Sequence, residues 1–288
     1  MALLLEPARL APLIATVEDA RRAGRRRALL GAAVLLALVL LCAWVAEVQP
    51  SLLWERGDRF LGYFDRTLTL DSGARVWTDP ADWYWGLGKW LTQLGDTLLM
   101  AYVGTVLGAL GGFMLGLIGS GNIGPSAGIR FAARRVAEFC RTVPEIVFAL
   151  VFVIAFGLGP LAGVLAIALH SAGALGKLLA EVVENIDMKP VEGARAAGAS
   201  WAQVARFAVV PQVLAGFASY ALLRLEVNVR GAAVLGFVGA GGIGQDLVEA
   251  VRKFYYADVS AILILIVLTV TLMDLATSFL RRRLLGAA

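Results

Sequence analysis

Residues 28–46 read ALLGAAVLLALVLLCAWVA and contain no charged side chain. An α-helix needs about 20 apolar residues to cross a hydrocarbon core of about 30 Å, so this stretch is long enough to span a membrane. The basic run RRAGRRR precedes it at 21–27, and basic residues flank membrane spans on the cytoplasmic side. Because the apolar run is longer than the core of a signal peptide, we predict an uncleaved span with the N-terminus in the cytoplasm.

The composition of the whole chain is typical of a protein that crosses the membrane several times. Of its 288 residues, 59% are hydrophobic and 17% are charged, and the mean hydropathy is +0.76. Average soluble domains have about 45–50% apolar and about 25% charged residues, so the composition excludes a disordered chain and argues against a soluble enzyme. The two cysteines, Cys42 and Cys140, are too few for a disulfide framework or a Cys-rich metal site.

Five further apolar stretches predict an all-α, polytopic fold with about six transmembrane helices. They cover 92–118, 136–156, 161–183, 211–236 and 259–280. An even number of spans puts both termini on one side of the membrane, and since both are basic we predict that both are cytoplasmic. Segment 47–92 is polar and rich in Trp and Tyr, which predicts an outer segment with aromatic side chains at the membrane interface.

A segment of small residues joins the fourth and fifth predicted spans on the cytoplasmic side. Pro190 suits a first helical turn, and Glu192 near that start interacts favourably with the helix dipole. Gly198 favours a helix end, and Ser200 with Gln203 has the spacing of a capping box that begins a second helix. The first helix consists almost wholly of Ala and Gly, so another protein can approach it closely. We therefore predict a docking helix for a cytoplasmic partner.

This segment resembles the EAA loop of ATP-binding-cassette importer permeases. Glu192, Ala194, Gly198 and Pro211 match the motif, whereas Gly193 stands where the family usually has Ala. The resemblance implies that the segment couples the membrane spans to an ATPase subunit. The residues implied in this coupling are Glu192, Gly193, Ala194, Arg195, Ala196, Ala197 and Gly198.

Four further stretches resemble the phosphonate group of these permeases. They are GDTLLMA at 95–101, RTVPE at 141–145, EVNVR at 226–230 and VLGFVGAGGIG at 234–244. The resemblance implies a type I importer permease core at 90–288 with the coupling loop at 188–211. Region 1–89 then holds the first span and the aromatic outer segment. The implied cargo is phosphonate or a related phosphorus oxyanion such as phosphite or a phosphate ester. Methionine importer permeases share the Gly-rich stretch, so methionine or another small solute stays an alternative.

The resemblance also implies partners and a place in the cell. A homodimer of the permease in the cell inner membrane would bind two ATP-binding-cassette ATPase subunits, which hold ATP and Mg, and a periplasmic or lipid-anchored solute-binding protein. The chain has no phosphate-binding P-loop, because Gly176 and Lys177 are followed by Leu178 and lack the upstream Gly. We therefore expect a non-catalytic subunit without its own cofactor. A stand-alone secondary transporter or channel is the alternative from another class.

Polar and charged residues inside the predicted spans are candidate site residues, since such groups are costly in lipid and face the protein interior or a wet cavity. They are Glu145, His170, Arg224, Glu226, Asn228 and Arg230. A spacing of four puts Arg224 with Asn228, and Glu226 with Arg230, on shared helix faces. Two interpretations stay open: a structural ion-pair network, or arginines that line the path of an anion and bind it with paired donors. His170 lacks metal-ligand partners at suitable spacing, so we expect an interhelical contact or a position that lines the path.

A glycine-rich stretch lies between the fifth and sixth predicted spans. Gly239, Gly241 and Gly244 have the spacing of a dinucleotide-binding loop, but such a site needs a soluble βαβ unit. We expect instead an outer bend, including Gly242, that allows close packing or acts as a gate; an anion-binding nest of backbone N–H groups is a second interpretation. The docking segment also has a helix-turn-helix pattern, but its flanking spans leave no room for a recognition helix, so no nucleic-acid partner is expected.

Overall fold

The computed structural model describes residues 7–286, with side-chain surroundings given for 20–52 and 54–284. These residues are mostly helical and form no strand, which confirms the all-α prediction. In chain order the helices are α1 (Pro7–Val45), α2 (Pro50–Glu55), α3 (Gly57–Thr67), α4 (Pro80–Trp83), α5 (Leu87–Gly119), α6 (Ala127–Thr142), α7 (Glu145–Phe156), α8 (Pro160–Glu184), α9 (Lys189–Ala196), α10 (Trp201–Val204), α11 (Val210–Leu235), α12 (Ile243–Arg252) and α13 (Tyr256–Gly286). A π-helical turn at Ala205–Val209 joins α10 to α11.

Five helical stretches of the described chain are long and apolar enough to cross a membrane. They are Ala20–Val45, Leu87–Gly119, Pro160–Glu184, Trp201–Val238 and Tyr256–Leu284. The pair α6 and α7 brings the number to six if it is counted as one span. The structure therefore agrees with the predicted count of about six.

The third predicted span, 136–156, needs a correction, because the structure does not form it as one helix. Helix α6 begins nine residues earlier than predicted, at Ala127, and meets α7 at a bend of 90°. Pro144 has no backbone N–H and disfavours helical conformation in the residue before it. Val143 accordingly has an extended backbone, with a ψ of 124°. The chain changes direction at these two residues.

Contacts divide the chain into two compact units, residues 1–63 and 64–288. In the first unit, none of the spanning window of α1 is buried within the described chain. The second unit contains α4 to α13 and all candidate site residues. The division of the sequence at residue 89 stays a prediction.

Close packing of α5 against α8 forms the centre of the second unit. A row of α5 glycines faces α8, and a Cβ added at any of them would lie 2.6–2.9 Å from an α8 side chain. The glycines are Gly104, Gly108, Gly112 and Gly116, and they face Ile167, Ser171, Leu175 and Leu179 in that order. Because both series advance by four residues in the same direction, the two helices run parallel over this contact. Small residues at this spacing let helix backbones approach closely in lipid.

The stretch 239–258, predicted as a loop and a polar segment, contains the amphipathic helix α12. Its apolar side chains Ile243 and Leu247 are buried in a cluster with Trp90. The aromatic segment before α5 packs against the start of α13, where the Trp83 indole N–H donates to the Ala257 carbonyl at 3.2 Å. The end of the outer segment is therefore part of the compact second unit.

Candidate functional site

The predicted docking segment forms two short helices around a tight turn. Helix α9 carries both Pro190 and Glu192 in its first turn. Gly198 follows α9 with a φ of +80°, a left-handed conformation that favours glycine. At the start of α10, the Ser200 backbone N–H donates to Gln203 Oε1 at 2.8 Å. The structure confirms the local fold, and the coupling role stays a prediction.

One side of α9 is buried and the other is exposed. Val191 is fully buried and packs with Leu179, Val183 and Val204 in an apolar cluster. The exposed side carries the small residues, and a Cβ added at Gly193 would meet nothing within 4 Å. The exposed residues are Glu192, Gly193, Arg195, Ala196, Ala197 and Gly198, with Ala194 half-buried. The predicted coupling surface therefore faces away from its own chain.

Hydrogen bonds fasten the docking segment to residues 120–126, which join α5 to α6 and are called the strap loop below. Arg195 Nη2 donates to the Asn122 carbonyl at 3.2 Å. The Trp201 indole N–H donates to the Ile123 carbonyl at 2.8 Å. Asn122 in turn donates its side-chain amide to the Val183 carbonyl of α8 at 2.7 Å. These hydrogen bonds connect α9 and α10 to the strap loop, and the strap loop to α8.

Glu184, the last residue of α8, takes part in polar contacts that connect α5, α6 and α8 near the strap loop. Its carboxylate accepts a hydrogen bond from the Gly121 backbone N–H at 2.7 Å and forms an ion pair with Arg134 of α6. Arg134 Nε also donates to the Gly119 carbonyl at the end of α5, at 2.7 Å. The ends of α5 and α8 and the middle of α6 are therefore connected by polar contacts.

A second group of candidate residues meets in the central turns of α5, α8 and α11, and is called the central polar cluster below. Asn228 is completely buried, and its Nδ2 donates to Thr105 Oγ1 and to Ser171 Oγ, each at 2.8 Å. Arg224 Nε donates to the same Ser171 oxygen at 3.1 Å. Arg224 and Asn228 therefore share a helix face, as their spacing predicts, and converge on Ser171.

Sequence reasoning missed Thr105 and Ser171 as members of this cluster. A Cβ added at Gly108 would lie 2.6 Å from the Cβ of Ser171. The close contact between α5 and α8 therefore brings the Ser171 hydroxyl to α11. A signal was present in the sequence, since a hydroxyl residue lies next to the Gly104 and Gly108 series and polar groups in spans seek interhelical partners.

The remaining charged candidates do not form one continuous ion-pair network. Arg230 pairs with Glu226 at 3.4 Å, as the spacing of four predicts. Glu145, at the start of α7, packs on the backbone of α11 so closely that a Cβ at Gly231 would collide with its carboxylate. Among the described residues, Arg224 has no carboxylate within the 4.0 Å of an ion pair.

His170 makes an interhelical contact at the bend between α6 and α7. Its Nδ1 lies 3.1 Å from the Val143 carbonyl, so a proton on Nδ1 completes the hydrogen bond. The extended backbone at Val143 and Pro144 removes helical bonding there, and the imidazole supplies a partner that water cannot supply within the span. In the part of the chain that the structure describes, no group of three His, Cys, Asp or Glu side chains could hold a metal ion.

The glycine-rich stretch forms a compact bend between α11 and α12. Gly239, Gly241 and Gly242 have φ values of +81°, +89° and +77°. A Cβ on Gly244 would collide with the Ala233 carbonyl oxygen. The Ile243 N–H donates to Thr97 Oγ1 of α5 at 2.9 Å. The glycines thus permit backbone contact, which favours the packing interpretation over an anion-binding nest.

Comparison with known proteins shows the family of this chain. Residues 108–286 match the family described as the binding-protein-dependent transport system inner membrane component. The chain belongs to this family. It is a permease component and a multi-pass protein of the inner membrane. The docking segment and Ser171, Arg224 and Asn228 of the central polar cluster lie inside the matched region.

Two relatives cover most of this permease. The phosphite transport system permease protein PtxC of Stutzerimonas stutzeri is 37% identical over 255 residues, which are 87% of this chain and 87% of that protein. The phosphate-import permease protein PhnE of Mycolicibacterium smegmatis is 36% identical over 248 residues, 85% of this chain but 44% of that longer protein. Both similarities extend well beyond the family match.

A solved structure shares the helical arrangement. The inward-facing MetNI methionine ABC transporter superposes with a TM-score of 0.59 at 24% identity, covering 72% of this chain and 98% of that one. At this identity the likeness shows the fold alone.

Proposed function

We propose that this permease is the membrane-spanning subunit of an ATP-driven importer for phosphonate or a related phosphorus oxyanion such as phosphite or a phosphate ester. Similarity to a phosphite permease over 87% of both chains supports the cargo class. The working complex would be a homodimer with two ATPase subunits on the cytoplasmic side. A periplasmic or lipid-anchored solute-binding protein would deliver the anion from outside.

The exposed small-residue surface of α9 carries the proposal. An ATPase subunit that closes on ATP would push this surface, and the buried Val191 would pass the movement into the α8 cluster. The strap loop would carry the same displacement to α5 and α6. The core helices would then rock between inward-open and outward-open arrangements around a central path. Both termini would lie in the cytoplasm.

Copurification tests the docking step with a matched pair of glycine variants. Gly193→Leu adds bulk to the exposed side of α9, and Gly88→Leu adds the same bulk near the opposite, outer end of α5. A Cβ at either position meets nothing within 4 Å, so the two sites are matched in the space next to their backbones. We expect the ATPase subunit to copurify with wild type and Gly88→Leu and to be lost from Gly193→Leu. Equal copurification with both variants would exclude docking on α9.

Uptake by the reconstituted complex tests the cargo and the energy source. Proteoliposomes that contain the permease, its ATPase and its binding protein should import phosphite, methylphosphonate or phosphate only with ATP. Import of methionine instead would transfer the protein to the alternative solute class. Import by the permease alone, driven by an ion gradient, would identify a secondary transporter or channel.

A further inference from the structure

We propose that Arg224 is the residue that binds the transported oxyanion inside the membrane, and that Ser171, Asn228 and Thr105 are positioning residues that hold it. The inference rests on the proposed function and specifies which residue of the path contacts the cargo. It distinguishes Arg224 from Arg230, which the sequence presents as equivalent candidates.

The central polar cluster holds only one end of the Arg224 guanidinium. Nε donates to Ser171 Oγ at 3.1 Å, and no other hydrogen bond of this side chain is formed among the described residues. The two terminal nitrogens are therefore free to donate. A guanidinium presents these donors as a planar fork that fits two oxygens of a phosphorus oxyanion. Arg230 differs, because one of its two terminal nitrogens, Nη2, is already paired with Glu226.

The support behind Arg224 fixes its position by a chain of neutral hydrogen bonds. Ser171 Oγ accepts from Arg224 and from Asn228, and Asn228 also donates to Thr105. Thr105 is anchored in turn by its hydroxyl, which donates to the Ala101 carbonyl. Ser171 and Asn228 are fully buried, whereas Arg224 is half-buried. The buried residues cannot reach the cargo themselves. Their role is to hold Arg224 at its Nε, so that its terminal nitrogens stay in a fixed position.

The surroundings of Arg224 suit transient binding. We infer that the free end of the half-buried Arg224 side chain faces the path, because a charged group within a span faces a wet cavity or protein rather than lipid. The Glu145 carboxylate does not reach ion-pair distance of Arg224, so it does not occupy the donors. A site in a transport path must bind well enough to admit the solute and weakly enough to release it.

The assignment is tested by the import ratio, which is the amount of anion imported per ATP hydrolysed. It is measured in proteoliposomes of the full complex with phosphite, methylphosphonate and phosphate as probes. We expect Arg224→Gln to lower the import ratio about 10-fold or more, because charge-assisted hydrogen bonds are lost. Arg224→Lys, which keeps the charge without the fork, should lie between wild type and Arg224→Gln. Arg230→Gln should lower the import ratio clearly less than Arg224→Gln does. Because the ratio is normalised to hydrolysis by assembled complexes, a folding defect does not mimic the effect.

A double-mutant cycle tests the positioning role. Ser171→Ala should lower the import ratio about five-fold, and it should cause no further loss in the Arg224→Gln background, because its effect acts through Arg224. Additive losses would assign Ser171 a purely structural role and overturn the positioning claim.

Two other outcomes separate this inference from the proposed function. If wild type imports none of the three anions, the proposed cargo class falls and the inference falls with it. If wild type imports the three anions, two results would overturn only the Arg224 assignment. Either Arg224→Gln has the same import ratio as wild type, or Arg230→Gln lowers the import ratio as much as Arg224→Gln does.

A labelling experiment tests the assignment without turnover. Arg224→Cys in a chain with Cys42→Ser and Cys140→Ala should react with a charged thiol reagent. A thiol inert in every nucleotide state would show that position 224 does not face the path and would contradict the assignment.

Discussion

Trp201 in the docking segment donates its indole N–H to the backbone carbonyl of Ile123 in the strap loop at 2.8 Å. Ile123 is only 2% exposed, so water cannot readily replace the indole as a partner for this carbonyl. A buried carbonyl without a partner costs about 1–3 kcal/mol. The bond therefore fixes the distance between the surface that would meet an ATPase and the loop between α5 and α6.

Removing this bond should uncouple hydrolysis from transport. Trp201→Phe keeps an aromatic ring but loses the donor, so movement of α10 would no longer be passed fully to the strap loop. We expect import per ATP hydrolysed to fall while the ATPase still copurifies. Trp54→Phe, at a residue that is 94% exposed, is the control and should match wild type. An unchanged import ratio in Trp201→Phe would show that the bond transmits nothing.

The glycine row of α5 should be sensitive to a single added methyl group. Gly112→Ala places a Cβ 2.9 Å from Leu175 Cβ and 3.0 Å from the Ala172 carbonyl oxygen. Overpacking of this kind costs about 1–3 kcal/mol, because the helices must separate. Gly95→Ala, on the same helix with nothing within 4 Å, should keep or raise the stability. The midpoints of thermal unfolding of the two variants in detergent can be compared by tryptophan fluorescence. Equal midpoints for Gly112→Ala and Gly95→Ala would contradict the packing argument.

The ion pair between Lys89 and Asp246 should stabilise the outer end of the second unit. The Asp246 side chain is 8% exposed, and its Oδ2 has no hydrogen-bond partner among the described residues. Lys89→Met leaves this carboxylate unpaired, which should cost about 2–3 kcal/mol. Lys253→Met breaks an exposed pair with Glu249 and should leave the midpoint of thermal unfolding unchanged. In the Lys89→Met background, Asp246→Asn should recover part of the lost stability, because it removes the unpaired carboxylate. If the midpoint of thermal unfolding does not recover, the effect comes from lost packing of the lysine side chain.

Cysteine labelling should establish the topology. In a chain with Cys42→Ser and Cys140→Ala, a membrane-impermeant maleimide applied to intact spheroplasts should label Ser72→Cys. It should label Ala196→Cys and Arg282→Cys only after permeabilisation, because both lie on the predicted cytoplasmic side. Labelling of Ala196→Cys in intact spheroplasts would place the docking segment outside and remove the basis of ATP coupling.

Local signals in the sequence were sufficient for the docking segment. Gly198 adopts the positive φ that its helix-ending role requires, and Ser200 with Gln203 begins the next helix as predicted. Such features depend on a few neighbouring residues, and so they can be recognised without knowing the tertiary fold. The long apolar runs were recognised for the same reason, because span length follows from the thickness of the membrane.

Features that depend on distant residues were missed. Ser171 and Thr105 became site residues only because the α5 glycines bring two helices together next to Asn228. The proline at 144 was visible, but the direction of the 90° bend follows from packing of α6 and α7 on α8. Helix α12 was hidden because glycines precede it and its apolar face is completed by Trp90 from another helix.

The parallel contact between α5 and α8 determines how the core can deform. With four successive glycine contacts in one register, neither helix can slide or tilt against the other without opening the whole seam. We therefore expect the two helices to move together as one rigid unit. Any conversion between open states would then leave distances inside this helix pair constant while the distances to α13 change.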